Sequence, residues 1–167
     1  MEIEQKYVAA LNDGIVNATD VGYLGLTDAQ FAAFLYVLAW YMGGKREGVD
    51  GFVVGAADTD ARTLTVYWIA GDSIGSLTVA GTDVGNSALP PISGWLRSVR
   101  DVEKLALSGV VKIENVTNEK DVRPIVLIVF RGEQPIEISA DRPNERARRQ
   151  ARDFIARLLV LIGGLPS

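Results

Sequence analysis

The sequence predicts an α+β domain in which antiparallel strands are framed by helices, and three observations carry that expectation. Apolar residues recur at helical spacing through the first 45 positions, seven short β-branched or aromatic runs separated by turn residues follow, and an amphipathic helix closes the chain. The 167 residues, 48% hydrophobic and 23% charged, are enough for one domain with its own core.

In the N-terminal segment, residues 1–45, Ile3, Tyr7, Leu11 and Ile15 stand four apart, the stripe of a first helix whose pattern Asp13-Gly14 weakens. Past the turn at 22–25, Thr27 and Gln30 have the T-x-x-Q spacing of a capping box, so a second helix starts there. Residues 31–42 are all apolar or aromatic, and Gly43-Gly44 supplies the stop. Twelve such residues are too few for a bilayer core, which needs about 20. This helix is therefore expected to be enclosed by protein, its own or a second copy's, with Phe31, Phe34, Leu38, Trp40 and Tyr41 as candidate interface residues.

Beyond the turn at 48–51 the pattern becomes β. Strands are expected at 52–54, 63–69, 74–79, 95–102, 110–116, 125–130 and 136–139. Asp58-Thr59-Asp60-Ala61-Arg62 has hairpin-loop composition, Gly71-Asp72 and 132–135 are turns, and 81–91 and 117–124 are longer links. Alternation sends Tyr67 and Trp68 to opposite faces, one of them into the core and the other under the N-terminal helices; Trp95 is the third aromatic side chain within reach of the sheet. In the last element Ala147, Ala151, Phe154, Ile155, Leu158 and Ile162 share one face. Pro143 is expected in its first turn, Asp141 or Asn144 at the N-cap and Gly163-Gly164 at its end.

The ending R-P-I-V-L-I-V-F-R-G-E-Q-P-I-E-I-S-A, followed by A-R-R-Q-A-R-D-F-I-A-R-L-L after seven short strands, resembles the bacterial pleckstrin-homology-like (PH-like) family over about residues 50–163. The resemblance implies two nearly orthogonal sheets forming a barrel or sandwich plugged by the last helix, with 95–102 as the fourth strand and the two N-terminal helices as an addition. Members that bind phosphoinositides carry a basic cluster in the first hairpin loop, which here is Asp58-Thr59-Asp60-Ala61-Arg62, acidic on balance. A lipid-headgroup site is therefore not expected, and the protein-interaction role of other members is.

Chemistry is bounded by what is missing. There is no Cys and no His, so thiolate catalysis, disulfides, the commonest general base and the commonest metal ligand are all excluded. Lys45, Lys104 and Lys112 stand in no S-x-x-K context, and Gly43-Gly44-Lys45-Arg46 lacks the spacing of a phosphate-binding loop. Asp50, Asp58, Asp60 and Asp72 fall in turns at one end of the early strands, where oxygen ligands for Ca²⁺ or Mg²⁺ would gather, but no calcium-loop pattern surrounds them; no metal and no cofactor is expected.

Net charge is −4, divided between an acidic stretch over 1–96, with 11 acids and 4 bases, and a basic one over 97–167, with 10 acids and 13 bases. Arg142, Arg146, Arg148, Arg149 and Arg152 on the last helix, with Arg157 further along, are candidates for clamping a phosphate or carboxylate; the competing reading is a solvated face whose arginines pair with Glu145 and Asp153. Overall acidity argues against nucleic acid as a partner. The acidic N-terminus lacks the order of a secretory signal, so the expected setting is the cytoplasm. The expected function is a non-catalytic interaction or scaffold module for a protein partner or a second copy. Small-anion binding by the arginines is the alternative, and a metal-dependent enzyme on the loop aspartates a third.

Overall fold

The computed structural model describes residues 2–44, 51–81, 89–111 and 122–164. Helix α1 spans Gln5–Val16 and α2 Asp28–Tyr41, with a short 3₁₀ turn at Gly22–Leu24 between them. Strands β1 (Gly51–Val54), β2 (Thr63–Ala70), β3 (Ser73–Ala80) and β4 (Ile92–Ser98) form one antiparallel sheet in the order β1-β2-β3-β4. Strands β5 (Val102–Val111), β6 (Val122–Phe130) and β7 (Ile136–Ser139) form a second, in the order β5-β6-β7, and α3 (Glu145–Gly163) follows. The α+β class and its two antiparallel sheets thus match the expectation. Among the described residues no strand pairing joins the two sheets, so they do not close into a hydrogen-bonded barrel.

Local chemistry explains the element boundaries. Thr27 Oγ1 accepts from the Gln30 N–H at 3.2 Å while Gln30 Oε1 accepts from the Thr27 N–H at 3.0 Å, completing the capping box that starts α2. Gly43 and Gly44, both at positive φ, end it. Helix α1 runs through Asp13-Gly14 because Leu11 and Ile15 on either side of the weak point are fully buried. Asn144 caps α3 through Oδ1, which accepts from the Arg146 and Ala147 N–H groups; Pro143 therefore stands just outside the helix rather than in its first turn.

One strand expectation is corrected. Residues 95–102 are not a single strand: β4 ends at Ser98, whose Oγ caps a 3₁₀ turn over Val99–Asp101, and β5 starts at Val102. The β-branched residues on both sides read as one run, yet Val99 is drawn into the core at 1% exposure and its N–H donates to the Asp72 carbonyl at 2.8 Å. That turn is the corner where the chain passes from one sheet to the other. The strand expected at 110–116 overlaps the end of β5, and residues 112–116 lie outside the described residues.

The first sheet carries a core on each face. On one face Val54, Leu64, Val66, Trp68, Leu77 and Val79 pack with Tyr7, Leu11 and Ile15 of α1 and Phe34, Leu35 and Leu38 of α2. On the other, Val53, Ile69 and Ile74 meet Val126, Ile128, Phe130 and Ile138 of the second sheet and Ala151, Phe154, Ile155 and Leu158 of α3. Alternation decides this partition, since Trp68 lies under the N-terminal helices while Tyr67 faces the second sheet.

Candidate functional site

The two edges of the first sheet are treated differently, and the contrast locates the candidate site. On the β1 edge, the Gly55 N–H donates to the Thr65 carbonyl of β2, so the alternation points the Val54 backbone groups outward. Helix α3 and the segment before it cover them. Gln150 Oε1 accepts from the Val54 N–H at 3.0 Å, and Arg142 donates to the Val54 and Gly55 carbonyls at 3.2 and 3.3 Å. Gln150 Nε2 also donates to the Gly14 carbonyl of α1 at 3.2 Å. Such side-chain cover is one way a sheet edge is closed to a further strand. Gln150→Leu is expected to strand a part-buried donor on Val54 and a part-buried acceptor on Gly14 and to cost about 1 kcal/mol in urea unfolding; an unchanged midpoint would remove Gln150 from this role.

The arginines proposed from sequence to bind an anion are divided by this arrangement. Arg142 lies before the Asn144 cap and not on the last helix as expected; it is engaged with β1, and burial lowers its pKa from the ordinary value, partly offset by the Glu137 carboxylate. Arg148 donates to the Arg142 and Pro143 carbonyls at 2.8 and 2.9 Å and pairs with Glu145 at 2.8 Å; Arg152 reaches the same carboxylate at 3.5 Å. Only Arg146 and Arg149 of the five are exposed. The aspartates do not assemble either: Asp58, whose Oδ1 accepts from the Ala61 N–H, Asp60 and Asp72 are exposed turn residues, and Asp50 lies outside the described residues. Among the described residues no three acidic side chains gather within reach of one metal ion.

At the β4 edge the backbone has no strand partner among the described residues. The Pro91 carbonyl accepts from the Ala80 N–H at 3.0 Å, and Val99 donates to Asp72, which sets the alternation along the strand. Ser93, Trp95 and Arg97 direct their backbone groups to β3, whereas Ile92, Gly94 and Leu96 direct theirs away, and no described strand pairs with them. Beside this edge lies an apolar groove of about 430 Å³ between α2 and β4. Val37 and Tyr41 of α2 form one wall, Ile92 and Leu96 of β4 the other, and Trp68 and Leu77 the floor.

The candidate interface residues of α2 are split by the same geometry. Phe34 and Leu38 are fully buried and Phe31 is half-buried, while Trp40 and Tyr41 are 49% and 58% exposed and stacked edge to face at 5.2 Å. The helix has no polar face, but α1 and the first sheet enclose only one side of it, leaving Tyr36, Trp40 and Tyr41 exposed; of these Tyr41 lines the groove, with Leu96, which is 62% exposed, and Leu89. Leu96 and the β4 edge were missed by sequence reasoning. The signal was the alternation Ile92, Gly94, Leu96, which places apolar residues on the α2 side of a strand that the helices fail to cover.

Comparison with known proteins adds no further constraint: no family model, no curated protein and no solved structure matches this chain.

Proposed function

We propose that this chain is a non-catalytic, cytoplasmic protein-interaction module of PH-like organisation, and that it docks an extended apolar segment along β4 with side chains in the α2–β4 groove. The observation that carries the reading is the backbone edge of β4, without a strand partner among the described residues, beside an apolar groove, on a sheet whose opposite edge is closed by Gln150 and Arg142. Added strands gain affinity from main-chain hydrogen bonds and specificity from alternate side chains in adjoining pockets. Aromatic residues such as Trp40 and Tyr41 are the side chains that most often dominate interface energies. The order of four strands, three strands and a terminal helix supports the PH-like part of the reading. This reading is preferred to anion capture on α3, because three of the five candidate arginines there are engaged within the chain.

The test is a double variant, Tyr41→Glu with Leu96→Glu, both of which line the groove. Both side chains are about half exposed or more, so the fold is expected to persist within about 1 kcal/mol. A partner purified on the wild-type protein is expected to be lost by the variant at equal fold stability. If the wild type is a dimer in solution, the variant is expected to become monomeric, which makes the occupant a second copy. Equal retention of the partner by a folded variant would overturn the reading.

A further inference from the structure

A second cavity, of about 520 Å³, opens where the chain turns from β4 to β5 and meets the turn between β6 and β7. Arg97, Arg100 and Arg131 line it together with Asp101, Val102, Glu103 and Phe130. The guanidinium of Arg97 lies 5.0 Å from the centre of the Trp95 ring and 4.8 Å from that of Phe130. Phe130 is 2% exposed in the core between the sheets and meets the partly buried Trp95 edge to face at 5.6 Å. An arginine packed against two aromatic rings is pre-organised, losing little freedom when its planar fork meets an oxyanion.

The fork already holds one. Arg97 Nη2 forms an ion pair with Glu133 Oε1, from the exposed β6–β7 turn. Arg100 and Arg131 are exposed at the cavity and take part in no ion pair among the described residues. With Asp101 and Glu103 also lining the cavity, three arginines are balanced by three carboxylates when Glu133 is in place. Replacing the Glu133 carboxylate by a ligand's keeps that balance and a phosphate monoester exceeds it by at most about one charge, whereas a polyanion brings several more that Asp101 and Glu103 repel.

We propose that this cavity binds a single compact anionic group, a carboxylate or a phosphate monoester, on Arg97 with Arg100 and Arg131, in exchange for the Glu133 side chain that holds the place in the free protein. The site adjoins the β4 groove, whose lining includes Trp95 and Leu96, but does not depend on the groove's function. Affinity is lowered by the fraction of time Glu133 occupies Arg97, so if the pair is open about a tenth of the time, Glu133→Gln tightens binding about tenfold.

The experiment is a nuclear magnetic resonance titration of the full chain with inorganic phosphate and with acetate, at constant ionic strength, following the Trp95 indole N–H and the arginine Nε–H signals. Saturable shifts of Trp95 and Arg97 are expected, with Trp40 and Trp68 unmoved, tightened by Glu133→Gln and weakened by Arg131→Gln. Response to both probes assigns carboxylate recognition, and response to phosphate alone assigns a phosphate ester. Absence of a saturable Trp95 response in both wild type and Glu133→Gln, with the variant folded by its amide spectrum, overturns the proposal, as does a response that Glu133→Gln leaves unchanged.

Discussion

Leu38→Asp is expected to unfold the chain or to remove most of its stability. Leu38 is fully buried in the core that joins α1, α2 and the first sheet, among Leu11, Phe34 and Trp68. Losing the buried side chain forfeits about 2–3 kcal/mol of hydrophobic stabilisation, and a carboxylate without a partner adds a desolvation cost of several kcal/mol. Against a typical total of about 5–15 kcal/mol this is a large fraction. Urea unfolding measures it, with Trp40→Glu as the comparison: two residues further along α2, Trp40 is half exposed, and its replacement is expected to leave the midpoint nearly unchanged. Equal, small effects of both substitutions would mean that α2 does not present Leu38 to the core.

Gly75→Ala has the next largest expected effect. Gly75 pairs with Trp68 across β2 and β3, and a Cβ at position 75 would overlap Trp68 Cε2 and Cζ2. Trp68 is 2% exposed in the cluster that holds Leu38 and Leu77, so its indole must shift either against them or into the groove it floors. Overpacking of this kind costs about 1–3 kcal/mol. Thermal melting of Gly75→Ala, Trp68→Phe and the double variant tests the cause. The smaller ring is expected to relieve the clash, so the double variant should lose less than the sum of the single losses. Strict additivity would show that the two residues do not press on one another.

The two largest effects and the two candidate sites come from different levels of the molecule. Leu38 and Trp68 belong to core patterns that the sequence displays. The β4 edge and the Arg97 cavity arise where separate segments meet: Arg97 is thirty-six positions from Glu133, and Val54 is ninety-six positions from Gln150. Sequence reasoning saw the arginines of the last helix as one group because they are close in the chain. The fold sends Arg142 back to β1 and turns Arg148 and Arg152 toward Glu145.

By itself the sequence determined what depends on neighbours a few residues apart: the capping box at Thr27 and Gln30, the buried stripe of Tyr7, Leu11 and Ile15, the hairpin loop at Asp58, the sites of most strands, and the apolar face of α3. These follow from helical and β periodicity and from local hydrogen bonds, whose energies are set within one or two turns of chain. Tertiary structure alone decided that 95–102 breaks at a corner around Val99, and that, among the described residues, one side of an all-apolar helix stays uncovered and one sheet edge is closed while the other has no partner. The physical reason is that burial and edge pairing are properties of what packs against a residue. Val99 and Leu96 share the same β-branched or aliphatic character three positions apart, yet one is 1% and the other 62% exposed because only the first lies between the two sheets.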